Sequence, residues 1–495
     1  MQSVVRTATL VGVEAVPVEV QADVGAGLPS FTVVGLADTA VLEARDRVRA
    51  ALRAAGFAFP NARIVVNLAP APLRKRGCGF DLPIAAAILV ATGQMPADRL
   101  ASSLVVGELA LDGSVSPVAG LLAYALEARR RGLTLVTAAG SSSTARALEG
   151  LAFTAIEGLA ELVSPRGDAP AFEAPRRLDA ASHSPDLAEV AGHDVARRAL
   201  EIAAAGGHNL LMVGPPGSGK TMLARRLPGI LPALTQEERL EAALVHSVAG
   251  VDEAAVMAGV RPFRSPHHTS STAGLIGGGS PPRPGEVSLA HHGVLFLDEL
   301  AEFGPACLQA LRQPLEDGRV TLVRAEGAIT YPASFMLVGA TNPCPCGYFG
   351  EAGRCRCPEE VIARYHRRIG GPLMDRIDLL VRVTAVDPRR IVERAGSSEP
   401  SAAVLDRVVR AVRFATERRG PGARLAGAAL TAACSMDAEA RRYLTRVART
   451  RRLSGRGVTR LMRVARTIAD LAGEPSVNTR HLAEAVNYRF EEGFR

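Results

Sequence analysis

The stretch LLMVGPPGSGKT, residues 210 to 221, restricts the possible folds more than any other part of the chain. An apolar run from Leu210 to Val213 leads straight into Gly214-Pro215-Pro216-Gly217-Ser218-Gly219-Lys220-Thr221, and a helical pattern starts near Met222. The spacing GxxxxGK(S/T) between a buried strand and a helix is a phosphate-cradling loop. Glycines at 214, 217 and 219 let successive backbone N–H groups and the helix N-terminus face phosphate oxygens. Lys220 neutralises the β and γ oxygens, and Thr221 offers a hydroxyl to Mg²⁺. A chain built around this unit is expected to be α/β, to bind ATP and to use Mg²⁺.

Two further strands extend the site. HHGVLFLDEL is an apolar run ending in Asp298-Glu299, which suits Asp298 to hold Mg²⁺ through water and Glu299 to polarise the attacking water. FMLVGATNPCPCG reads as a strand over residues 335–340 that delivers Asn342 to the same edge, where its amide could orient that water; an Asn before Pro343 is also an ordinary turn former. Together with the phosphate loop, the acidic pair favours hydrolysis over simple nucleotide binding.

At 495 residues the chain exceeds the size at which single cores stop growing. Residues 1–165 alternate strand-like and helix-like runs, 166–185 read as a Pro, Ala and Ser-rich linker, 186–395 resume the alternation, and 396–495 read as helix throughout. No apolar run approaches membrane-spanning length and no signal peptide is evident, so a cytoplasmic protein without membrane contact is expected. The net charge of +8 is concentrated: ten arginines and no acid lie between Arg441 and Arg466, either a solvated helix face or a contact for a polyanion.

The segments GHNLLMVGPPGSGKTMLA, AHHGVLFLDELAEF, ATNPCPCGYFG and GPLMDRIDL closely resemble the YifB/ComM family of Mg-chelatase-like AAA+ ATPases, over nearly the whole length. The resemblance implies an AAA+ core with a C-terminal helical lid, assembling as a homo-hexamer that hydrolyses ATP to move on single-stranded or branched DNA, as in ComM-like branch migration. The alternative is a chelatase-type motor that remodels a protein partner. By the same resemblance Arg376 is the arginine finger reaching a neighbour's nucleotide, and Arg456 is the sensor 2 arginine acting within its own subunit, although Arg460 lies one helical turn away. Val190 to His193 fall in the adenine-side segment, with His193 where Gln is expected. The Gly/Pro-dense stretch 261–293 looks too irregular for secondary structure. Like the hairpin-like EDGRVTLVRAEGAITYP with Arg319 and Arg324, it is a candidate for contact with a threaded polymer or for subunit packing. PLRKRGCGFDLPIAAAIL and VGELALDGSVSPVAGLLAYALEARRRG resemble the Lon-type proteolytic domain. Gly79 stands at the Ser position and Leu122 at the Lys position, so an α+β domain of that type without hydrolysis is expected, with Cys78 a small buried residue.

Four of the seven cysteines, Cys344, Cys346, Cys355 and Cys357, crowd just after Asn342. Two C-x-C pairs separated by eight residues could return to one tetrahedral Zn²⁺, although the spacing is tighter than the usual pairs; reduced thiols in a turn are the alternative.

Overall fold

A computed structural model of the chain describes residues 2–141, 144, 148–164, 185–324, 327–351, 353–386, 398–419 and 427–489. The linker expected at 166–185 and the end of the expected core at 387–395 lie almost wholly or wholly outside the described residues.

The N-terminal part holds two larger sheets and a two-stranded one, Glu108–Leu109 with Val115–Ser116. Gln2–Val11, Glu14–Gly25 and Arg63–Ala69 are antiparallel neighbours, and Ser30–Val34 adds in parallel at one edge. Period-two burial of Val18, Val20 and Ala22, with Ile64, Val66 and Leu68, turns one face inward. Against it lie Thr39–Ala54, capped by Asp38, and Asp81–Ala91, which is apolar all round because it is enclosed on all sides. The buried carboxylate of Asp81 is held bidentately by Arg47, at 2.6 and 3.0 Å. A second, parallel sheet joins Ser103–Val105, Thr134–Ala138 and Phe153–Ile156.

The central sheet is parallel throughout, in the order Phe263–Arg264, Val294–Leu297, Met336–Thr341, Leu210–Val213, Leu379–Arg382. Its middle strands are fully buried on both faces, which explains their unbroken apolar sequence. The C-terminal helices, among them Ser401–Arg419, Ala438–Thr450, Gly455–Leu471 and Thr479–Asn487, share one apolar cluster with this sheet, in which Met212 and Val338 join Leu461, Leu482 and Tyr488. Asp437, Ser454 and Asn478 cap three of these helices. The arginine run divides on this scaffold. Arg460 and Arg466 are buried and hydrogen-bonded, whereas Arg441, Arg442 and Arg449 stay exposed along one helix.

Residues 261–293 are more regular than their composition suggests. Ser271 caps a short helix, Thr272–Ile276, and Gly277–Gly278 pairs antiparallel with Arg283–Pro284. This unit leans on the hairpin Arg319–Arg324 and Gly327–Pro332, where the Tyr331 hydroxyl donates to Pro282 O at 2.9 Å. Glycines and prolines here make tight folding possible instead of preventing it, because the neighbouring hairpin supplies the missing packing.

The helix Gln236–Ala249 joins the two halves. Its Ala242 and Ala243 share a core with Leu104, Val106, Leu122 and Tyr124 of the N-terminal part, and Ser247 accepts from Gly120 N and, through Oγ, from Leu122 N. Its other side holds the turn before Val294–Leu297. Glu241 meets His291 Nε2 at 3.2 Å and His292 Nε2 at 2.8 Å, and His291 Nδ1 accepts from Ser334 N at 2.9 Å. That last bond leaves the proton of the neutral His291 ring on Nε2, facing Glu241, so the triad is a hydrogen-bonded node and not a ligand set for a metal.

Burial, with His292 beside it, pushes the His291 imidazole down to about 4. Below about 6.5 the unfolded chain binds a proton that the folded chain refuses until about 4. Stability therefore falls with pH through that window, by up to about 3 kcal/mol from this group. Urea midpoints of the wild type are expected to drop more between pH 7 and 5 than those of His291→Gln; parallel curves would show that another group governs the acid limb.

Candidate active site

Parallel pairing fixes where the reactive side chains emerge. Val213 is level with Thr341, and Leu297 with Gly339, so the phosphate loop, Asp298-Glu299 and Asn342 all leave the carboxyl ends of neighbouring strands. That edge is where ligands bind in open parallel sheets.

Lys220 lies buried at the centre of this edge. Its ammonium donates to Gly214 O at 2.7 Å, to Pro215 O at 2.9 Å and to Asn342 Oδ1 at 3.3 Å, with Ser218 Oγ at 3.5 Å. Burial lowers its pKa while Asp298 and Glu299 work to raise it. The Thr221 hydroxyl donates to Asp298 Oδ2 at 2.6 Å. The two groups expected around Mg²⁺ are therefore already in contact, and a hard cation bound to hydroxyl and carboxylate oxygens suits them. Glu299 adopts positive φ, 51°, which turns its half-exposed carboxylate off the strand axis. Its Oε2 meets His268 Nδ1 at 3.0 Å. His268 escaped the sequence reading: it lies in the Gly/Pro-rich stretch, and no local spacing marks it as the partner of a residue thirty-one positions on.

In the segment expected on the adenine side, Val190 is buried and its carbonyl accepts from Ser398 Oγ at 2.8 Å. His193 stands in the left-handed conformation just before the helix Asp194–Gly206, with no side-chain cap bond among the described residues, and lies against Gly219 of the phosphate loop, its pKa lowered by burial. Gly217 carries φ of 73° with open space around its Cα, as a loop that curls around an anion requires.

Arg376 and Arg456 lie elsewhere. Both line a cavity of about 610 Å³ together with Asn209, Phe335 and Asp378, the residues preceding three of the central strands. The cavity is therefore at the amino edge of the sheet, about 13 Å of strand from the phosphate loop. Arg376 pairs with Glu316 and donates to Pro372 O, and its Nε is buried with no hydrogen-bond partner among the described residues. Arg456 is exposed, whereas Arg460 is consumed by Met374 O, Ile377 O and Asp375. Arg456, expected as the sensor 2 arginine, thus lines the amino-edge cavity together with Arg376, whereas Lys220 stands at the carboxyl edge.

In the N-terminal part, a Cβ on Gly79 would meet Val106 at 3.2 Å and Val118 at 3.5 Å, and Leu122 is fully buried under Ser247. Cys78, expected to be a small buried residue, is half-buried, and its thiol is pushed up to about 11 by burial and by Glu108. The thiol form prevails at neutral pH, which argues against a nucleophile. Among the described residues no helix is long and apolar enough to cross a membrane.

Three family models match the chain: magnesium chelatase subunit ChlI over residues 186–391, the ChlI subunit of Mg-chelatase over 20–140, and the ChlI C-terminal region over 398–489. The YifB protein of Salmonella typhimurium is 42% identical over 490 residues, covering 98% of this chain and 97% of the relative. The competence protein ComM of Haemophilus influenzae is 40% identical over 496 residues, covering 98% and 97%. Lon protease 2 of Bacillus subtilis matches more narrowly, 30% identical over 34% of this chain and 35% of its own length. With full-length relatives at this identity and an ATP site assembled as described, the chain belongs to the YifB/ComM family of magnesium-chelatase-like AAA+ ATPases.

Proposed function

We propose that the chain is a ring-forming, Mg²⁺-dependent ATP motor that translocates on single-stranded or branched DNA, hydrolysing ATP at sites shared between adjacent subunits. The observation that carries this reading is the division of the machinery between two edges of one sheet. Lys220, Thr221, Asp298, Glu299 and Asn342 gather at the carboxyl edge, while Arg376 and Arg456 face a cavity at the amino edge. A fixed planar cation is what the charge on a transferring phosphoryl group requires. Within one subunit neither arginine reaches it, so a neighbour's cavity face must close each nucleotide site, and a hexamer closes such head-to-tail contacts into a ring. The C-terminal helices then act as the lid whose movement follows nucleotide state. DNA enters this reading from the ComM relative and from the exposed Arg319 and Arg324, carried on a hairpin braced by the folded insertion.

The test is ATP turnover and binding across salt concentration. Single-stranded and branched DNA are expected to stimulate turnover. The logarithm of the single-strand binding constant is expected to fall linearly with log salt, and an Arg319→Ala/Arg324→Ala double variant is expected to shallow that slope by roughly 1 to 2. Unchanged turnover with DNA and no salt-dependent binding would abandon DNA as the track and leave a motor acting on a protein partner.

A further inference from the structure

The geometry points to one structural Zn²⁺ bound by Cys344, Cys346, Cys355 and Cys357, forming a strut that backs the phosphate loop. The four sulfurs lie within 4.8 Å of one another, with Cys344 to Cys346 at 3.3 Å, Cys344 to Cys355 at 3.8 Å and Cys346 to Cys355 at 3.7 Å. A tetrahedral ion with metal–sulfur bonds of about 2.3 Å sets its ligands about 3.8 Å apart. Disulfides would require about 2.05 Å, and all four cysteines are free. An iron–sulfur cluster, which puts sulfides and several irons between its ligands, needs the thiolates spread wider than this. Four soft sulfurs at this spacing select zinc over the hard cation expected at Thr221 and Asp298. With all four positions supplied by the chain, the ion has no open site for chemistry.

The surroundings give the site its role. Cys344 is fully buried and Cys346 is exposed, so the ion would enter from the solvent side onto a fixed inner ligand. The turn that carries the first cysteine pair is closed by Gly347 N donating to Cys344 O at 2.9 Å. Gly347 has φ of 86°, and a Cβ there would come within 2.5 Å of the Pro216 ring in the phosphate loop. At the start of the same segment, Pro343 O accepts from His366 Nε2 at 2.8 Å, directly after Asn342, whose amide oxygen accepts a hydrogen bond from Lys220. One tetrathiolate thus fastens a segment that touches both the rim of the phosphate loop and the residue facing the γ-phosphate position. Binding displaces the thiol protons to solvent, and the metal's binding energy becomes order in this segment. The role of the strut rests on the nucleotide site proposed above; metal binding itself does not.

The test uses the full chain purified from zinc-supplemented cells. Elemental analysis is expected to find about one zinc per chain, falling to less than about a tenth in a Cys355→Ser/Cys357→Ser variant whose far-ultraviolet circular dichroism is unchanged. Titrating wild-type thiols with an organomercurial in the presence of a zinc dye provides a second route that involves no variant, and zinc release is expected to parallel a roughly tenfold loss of affinity for a fluorescent ATP analogue. Purified protein that holds no zinc and takes none from the dye, or holds iron in its place, overturns the metal site. Zinc that leaves with nucleotide affinity unchanged overturns the strut. Because zinc content is read without nucleotide or DNA, failure of the motor reading would not move it.

Discussion

Arg376→Ala is expected to lower ATP turnover by about a thousandfold or more while nucleotide still binds, measured by a coupled hydrolysis assay beside titration with a fluorescent ATP analogue. The reason is positional. Lys220, Thr221 and Asn342, the groups proposed to meet the phosphates, remain in place, and the lost guanidinium lies at the far edge of the same sheet. Arg376 is also held in a way that suits release. Its ion pair is with Glu316, itself half exposed, and its buried Nε lacks a partner among the described residues. The decisive form of the experiment mixes two inactive proteins. In a ring of Arg376→Ala and Glu299→Gln subunits, some sites combine an intact Glu299 with an intact arginine from the neighbour, so part of the activity returns. If the mixture stays as inactive as its components, the arginine does not act across an interface. Arg376→Ala turnover equal to wild type would remove it from the reaction altogether.

Glu299→Gln is the second large effect: a loss of about 10² to 10⁴ in turnover, or roughly 3 to 5 kcal/mol of barrier, with ATP and Mg²⁺ still bound. Of the two acids, Asp298 is committed to the Thr221 hydroxyl at 2.6 Å, whereas Glu299 turns away with positive φ and keeps a half-exposed carboxylate. Of the two, Glu299, which meets His268 at the open edge of the site, is the one proposed to take a proton from water. Asp298→Asn is therefore expected to weaken Mg²⁺ dependence first, shifting the Mg²⁺ concentration needed for half-maximal rate. Should Glu299→Gln retain turnover, the base must be sought elsewhere, and His268 at 3.0 Å would be the next group to replace.

What could be read from residue order was whatever is carried by a short continuous segment. The strand before Gly214 occupies Leu210–Val213 as its apolar run suggested, and the strand expected over 335–340 occupies Met336–Thr341. The pairs Thr221 with Asp298 and Lys220 with Asn342 follow because the phosphate loop, Asp298 and Asn342 each continue from the end of a buried strand, and a parallel sheet brings such ends together. What could not be read depends on which strands are neighbours and which end a side chain leaves by. Arg456 is seven residues from Arg463 on a helix with no mark of which sheet edge it crosses, so its company with Arg376 appears only in three dimensions. His268 and Glu299 are joined by an insertion whose prolines and glycines suggested irregularity, yet Ser271 and the Gly277 turn give it regular pieces once the hairpin supports it. The two C-x-C pairs were visible as a motif, but the close approach of Gly347, next to Cys346, to the Pro216 ring was not, since it depends on the Cβ that a glycine lacks.

The helix Gln236–Ala249 is shared property: one side is sealed into the first half of the chain, and the other carries Glu241 beneath the strand that ends in Asp298. Cutting the chain between its halves would strip Leu104, Val106 and Leu122 of their cover, leaving an adhesive face where a core had been. If the proposed motor is right, any swing of that helix during turnover would carry Leu104, Val106, Leu122 and Tyr124 with it, so the N-terminal part would follow the stroke as a passenger fixed to its seat.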